Sequence, residues 1–219
     1  MRYYSCDSHV VEAREVFEGL EDRFGSRAPR VVHNYQDKPG DWIVLPGTAP
    51  VPVGRLGIAG NKLGEAKTDE KIARGYEGLN AGVKDPHARL DEQVLDGIVG
   101  EVMYPSLNMF TFAIKDRDVV SAVFERHNDW VFDYCSANPE RLIGIGCLGL
   151  PDVEIALAEM KRAATKGVRG FAIPAHVSPD RPYHHPDYDP FWAAAEDFGV
   201  PLTMHIFTGE TFDGGMPKH

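Results

Sequence analysis

Cysteine is scarce in this 219-residue chain, with three residues (Cys6, Cys135 and Cys147), no C-x-x-C pair and no even set. That excludes a disulfide framework and a thiolate zinc motif, and fits reduced, mostly buried thiols in a cytoplasmic protein. Long apolar runs are missing as well. Nothing approaches the roughly 20 residues that cross a bilayer, and Met1-Arg2-Tyr3-Tyr4-Ser5 lacks the apolar core of a signal peptide, so no membrane partner is expected. Positive charge is in deficit, 23 Lys and Arg against 33 Asp and Glu for a net −10. Without a basic stripe to neutralise phosphates, nucleic acid is excluded as a partner. No G-x-G-x-x-G follows residue 9, which argues against a dinucleotide-binding doubly wound sheet. The remaining composition, 43% hydrophobic and 10% aromatic, is that of a folded chain rather than a disordered one.

Two kinds of grammar divide the chain. Residues 10 to about 90 are dense in Pro and Gly: Pro29, Pro39, Gly40, Pro46, Gly47, Pro50, Pro52, Gly54, Gly57, Gly60 and Gly64. Such punctuation breaks long elements, so the segment reads as a loop-rich insertion. Within it, Phe17, Leu20 and Phe24 predict one short amphipathic helix and Trp42-Ile43-Val44-Leu45 a hairpin strand. From about residue 91 short apolar strands alternate with helices. Strands are predicted near residues 2–8, 100–105, 142–148, 168–174 and 200–206. A helical turn is predicted over 91–97, and helices over 118–137, from Pro151-Asp152 to Gly167, and from Asp189-Pro190 to Gly199, with Asp189 as cap. Alternation of this kind means right-handed βαβ units and a parallel sheet covered on both faces.

The first strand carries the chemistry. Side chains alternate along a strand, so Asp7 and His9 in Cys6-Asp7-Ser8-His9 share a face. A carboxylate and a neutral imidazole converging on one point suit a divalent metal such as zinc or manganese. In a (β/α)8 barrel, site residues sit at the carboxyl ends of several strands. His9 ends the first strand and His205 lies near the end of the fifth, so a barrel brings both to one mouth. Asp7 has an alternative role, orienting His9 rather than binding metal itself.

Asp7-Ser8-His9-Val10-Val11-Glu12, Asp96-Gly97-Ile98 through Tyr104-Pro105, Asn138-Pro139-Glu140-Arg141 and Gly167-Val168-Arg169-Gly170 form an ordered set. Asp189-Pro190-Phe191-Trp192 through Val200-Pro201-Leu202-Thr203-Met204-His205 completes it. This set resembles the amidohydrolase superfamily, in the branch that includes aminocarboxymuconate-semialdehyde decarboxylase. The resemblance implies a single TIM-barrel-type (β/α)8 domain over residues 1–219, incomplete at about five of eight β/α units, with the insertion at about 10–90 after the first strand. It also implies one divalent metal, zinc or manganese, held by Asp7, His9 and His205. The implied activity is non-oxidative decarboxylation of an aromatic or unsaturated carboxylic acid by a metal-dependent carboxy-lyase. Two alternatives stay open: a hydrolase using metal-bound water, or an inactive fragment. The family's sixth-strand histidine and eighth-strand aspartate have no counterpart here, so the chain reads as C-terminally truncated, with its catalytic proton donor expected beyond residue 219.

The implied partner is a small-molecule carboxylate, and the full-length protein is expected to be a homo-oligomer. Arg89, as a bidentate carboxylate clamp, and His176, at the rim after the fourth strand, are substrate-binding candidates. Glu12 reads as a solvated acid near the mouth, His127 as a mid-helix residue at the core edge, and His184-His185 as a solvated turn. Trp130 and Trp192 read as helix-face packing.

Overall fold

A computed structural model describes residues 2–209. Strand β1 (Tyr3–Val10) opens the chain and leads into the insertion. There α1 (Leu20–Phe24) precedes β2 (Arg30–His33), β3 (Asp41–Val44) and β4 (Val51–Pro52), which pair antiparallel in that order. Helices α2 (Ala66–Ala73), α3 (Ala81–Lys84) and α4 (Pro86–Asp96) follow. The barrel portion then runs β5 (Ile98–Pro105), α5 (Asn108–Thr111), α6 (Arg117–Cys135), β6 (Leu142–Gly144), β7 (Gly146–Cys147), α7 (Val153–Lys166), β8 (Phe171–Ile173), α8 (Asp189–Phe198) and β9 (Leu202–Met204).

The parallel pairs are β1 with β5, β5 with β6, β7 with β8, and β8 with β9. Strands β6 and β7 are two halves of one bent strand. Ile145 N donates to Met103 O at 2.9 Å and Gly146 N to Gly170 O at 3.0 Å, so the first half binds β5 and the second β8. The bend needs its glycines. A Cβ at Gly144 would lie 2.6 Å from Val131 Cγ2, and one at Gly146 would lie 2.8 Å from the Phe171 ring. The result is five consecutive parallel strands at the predicted places.

The helices sit where their caps put them. Asp116 accepts from Val119 N at the start of α6, and Asp152 accepts from Glu154 N and Ile155 N at the start of α7. Gly167 and Gly199 close α7 and α8 with φ of +104° and +63°, a conformation that costs glycine little. Asp189 is the first residue of α8 rather than its cap, which is Tyr188. Helix α6 packs Val119, Val123, Phe124 and Val131 into the core against the sheet.

The insertion is more ordered than its Pro and Gly content suggests. Its three-stranded sheet buries Ile43, and Asp41 ties it to the exit of β1. The Asp41 carboxylate accepts from Tyr76 N at 2.9 Å and pairs with Arg14 at 3.0 Å and His33 at 3.1 Å. These bonds outweigh its partial desolvation, so its carboxyl titrates below the usual range. The predicted helix at Phe17–Phe24 is shorter, because Gly19 adopts φ +74° and helix α1 begins only at Leu20.

Cys135 and Cys147 are buried as expected, but Cys6 is exposed. Among the described residues β1 has no partner on the side away from β5, and Tyr3 and Tyr4 are half or more exposed; Met204 at the end of β9 and Ile206 just after it are exposed as well. Among the described residues no helix is long and apolar enough to cross a membrane.

Candidate metal centre

Strand β1 delivers Asp7 and His9, and the turn after β9 delivers His205. Their donor atoms lie within 4.8 Å of one another. His205 Nε2 stands 3.3 Å from Asp7 Oδ1, and His9 Nε2 stands 3.7 Å from the same oxygen. The two imidazoles meet edge to face, with centroids 4.9 Å apart. Metal–ligand bonds of about 2.0–2.2 Å place neighbouring donors roughly 3.0–3.6 Å apart, so the two imidazole contacts to Asp7 Oδ1 are close to coordination-shell spacing, within a cluster up to 4.8 Å across.

Each ring is anchored through its other nitrogen. His9 Nδ1 lies 3.0 Å from Pro105 O, and His205 Nδ1 lies 2.9 Å from Ile206 O. A carbonyl only accepts, so both Nδ1 atoms carry the proton and both Nε2 lone pairs face the cluster. This is how metal-ligating histidines are held in their tautomer. The His205 backbone is fixed in turn by Thr208, whose Oγ1 donates to His205 O at 2.6 Å and accepts from Ala175 N at 2.9 Å. Two neutral imidazoles and one carboxylate can hold a zinc- or manganese-type cation.

The Amidohydrolase family profile matches residues 84–219, more than half of the chain. This chain belongs to the amidohydrolase family. Gamma-resorcylate decarboxylase of Rhodococcus jostii (strain RHA1) is 30% identical over 125 residues, 53% of this chain and 37% of that protein. The 2-amino-3-carboxymuconate-6-semialdehyde decarboxylase of Dictyostelium discoideum is 24% identical over 131 residues, 59% of this chain and 36% of that protein. Among solved structures, 5-carboxyvanillate decarboxylase of Novosphingobium aromaticivorans, complexed with manganese and 4-hydroxy-3-methoxy-5-nitrobenzoic acid, superposes with a TM-score of 0.58 at 18% identity. That superposition covers 96% of this chain and 52% of the other, so the fold is an incomplete barrel of the amidohydrolase type. The matches span little more than a third of the length of these curated relatives.

The other expected site residues of this amidohydrolase fare differently. His176 follows β8, is exposed, and forms a backbone bridge with Gly209; it is not part of the donor cluster. Arg89 is not a free carboxylate clamp. From α4 its Nε donates to Glu101 at 2.8 Å, Nη1 to His9 O at 3.2 Å and Nη2 to Ser8 Oγ at 2.9 Å, and Glu101 is buried. It therefore braces the backbone that carries His9. Arg89→Lys keeps the charge but not the fork, and is expected to cost about 1–2 kcal/mol of stability in urea titration.

Glu12 is a correction. It is fully buried, not solvated, and its carboxylate accepts from Leu107 N at 2.7 Å and Asn108 N at 2.9 Å. Burial outweighs those bonds and pushes its pKa up to about 7. His127 is likewise fully buried rather than at the core edge. Its Nε2 donates to Ile145 O at 3.2 Å, and its Nδ1 faces Glu12 Oε1 at 3.7 Å. Burial pulls its pKa down to about 4, so the ring is neutral. The sequence signal for Glu12 was its context, directly after Val10-Val11 and before Val16-Phe17. His184 and His185 occupy a surface turn, and Trp130 and Trp192 pack on helix faces as expected.

Proposed function

We propose that Asp7, His9 and His205 bind one divalent cation, manganese or zinc. On this reading the amidohydrolase is a metal-dependent carboxy-lyase that removes CO2 non-oxidatively from an aromatic or unsaturated carboxylic acid. The observation that carries the reading is the convergence of three donors with both Nε2 lone pairs turned to one point. The decarboxylase relatives, and the manganese held by one solved neighbour, support the reaction. When bound, the metal supplies Lewis-acid stabilisation of negative charge on the substrate. The chain's own part is positional. Pro105 O and Ile206 O fix the two tautomers, Thr208 and Arg89 hold the backbones that carry the histidines, and one carboxylate leaves the loaded site with net positive charge for an anionic substrate.

On the same reading His176, which follows β8, is a substrate contact. Homo-oligomerisation of the full-length protein belongs to the same reading.

Metal analysis of the purified chain tests the assignment. Close to one equivalent of manganese or zinc is expected, and under about a tenth of an equivalent after reconstitution would sink it. Product analysis across hydroxybenzoates and lactones then separates CO2 release from hydrolysis, which would draw on the same three donors.

A further inference from the structure

Tyr104 lies on β5 beside His9, its register partner on β1. Thr203 lies on β9, two residues before His205, which stands in the turn that follows the strand. Strands β5 and β9 are not neighbours; the bent β6–β7 strand and β8 stand between them. Even so, Tyr104 Oη and Thr203 Oγ1 are 2.9 Å apart, a hydrogen bond that crosses the concave face of the sheet. The Tyr104 ring also packs against both imidazoles, at 5.1 Å from His205 and 6.2 Å from His9.

The Asp7–His205 contact crosses the same face at the mouth, but its atoms are the ones a bound cation would take. The Tyr104–Thr203 bond uses no donor of the cluster, so a bound cation does not compete for its atoms. Strand β9 is three residues long and, among the described residues, pairs only with β8. Without a tie across the barrel, the spacing between His205 and the β1 pair rests on that short pairing and the Thr208 turn.

We infer that the Tyr104–Thr203 hydrogen bond is a strut that presets the distance between the β1 donors and His205, making Tyr104 and Thr203 positioning residues for metal binding. The inference rests on the metal-centre reading above. Its physical basis is preorganisation: fixing the donors before the cation arrives lowers the ordering cost of binding.

The test uses the whole chain, titrated calorimetrically with Mn2+ and Zn2+, with Co2+ absorption spectra as the signature of donor geometry. Tyr104→Phe keeps the ring and removes the bond, and is expected to weaken binding roughly three- to tenfold and shift the Co2+ bands. Thr203→Val should do the same, the double variant should lose no more than either single one, and Thr203→Ser should retain wild-type affinity. Melting of the metal-free protein controls for a merely structural role, which would lower the midpoint while leaving affinity and spectrum intact. Wild-type affinity and spectrum in both Tyr104→Phe and Thr203→Val, or losses that add in the double variant, would overturn the strut. If the wild type takes up no cation, and His205→Ala changes nothing, the metal centre itself falls and the strut with it.

Discussion

Replacing His205 by alanine is expected to weaken Mn2+ or Zn2+ binding by at least ~100-fold, with little loss of fold. Removing an outer-shell partner of a metal ligand typically costs about 10–100-fold in affinity, and removing the ligand itself should cost more. His205 supplies a donor from the opposite end of the strand array to Asp7 and His9, so its loss leaves two donors from one strand. Its side chain stands in a turn after β9, where Nδ1 donates to Ile206 O and Nε2 faces the exposed Asp7 carboxylate, so truncation strands no buried group. Circular dichroism should be unchanged while the binding isotherm flattens. His9→Ala should match it. Asp7→Ala should cost less if Asp7 only orients the rings, because its side chain is 72% exposed and held by no backbone donor among its described contacts. Equal loss at all three positions would make Asp7 a ligand in its own right. Unchanged affinity in His205→Ala would show that the cation, if any, binds elsewhere.

What made this centre readable in the sequence was local periodicity. Asp7 and His9 share a face because strand residues alternate, and the apolar run Val200-Pro201-Leu202-Thr203-Met204 contains β9, whose end presents His205. The parallel strands β5, β6–β7 and β8 were readable as short apolar runs with Gly or Pro at or near their ends. What could not be read depended on contacts between distant segments. Glu12 looks solvated two residues beyond β1 until the turn into α5, about 95 residues away, brings two backbone donors to it. Arg89 looks like a free guanidinium until α4 docks behind β1 and β5 and presents Glu101, Ser8 and His9 O to it. In the insertion, Pro and Gly mark where elements break. They say nothing about the pairing of β2, β3 and β4, whose four- and two-residue segments are too short to show a period.

Glu12 sets the other large effect. Glu12→Ala removes the acceptor of two buried backbone N–H groups, Leu107 and Asn108, and is expected to cost roughly 3–5 kcal/mol in urea or thermal unfolding. Glu12→Gln keeps one oxygen and should cost about 1–2 kcal/mol, since its amide must face the second N–H. Dependence on pH separates the pair's electrostatics from this packing loss. The Glu12 carboxyl is raised from 4.5 to about 7, so between those values the folded protein holds a proton that the unfolded chain has released, and stability falls as pH rises. His127 is lowered from 6.5 to about 4, so between those values the unfolded chain holds the extra proton, and stability rises with pH. Between about pH 4.5 and 6.5 the two slopes oppose, and folding in effect moves one proton from the imidazole to the carboxyl. The wild-type pair therefore contributes a nearly flat profile across that window. In Glu12→Gln the His127 contribution stands alone, and stability should climb with pH at up to about 1.4 kcal/mol per unit relative to wild type. In His127→Gln the Glu12 contribution stands alone, and stability should fall with pH up to about 7. Parallel profiles in all three proteins would mean that neither group changes protonation on folding, and that the burial of Glu12 is sustained by its two backbone hydrogen bonds with the carboxylate charged throughout.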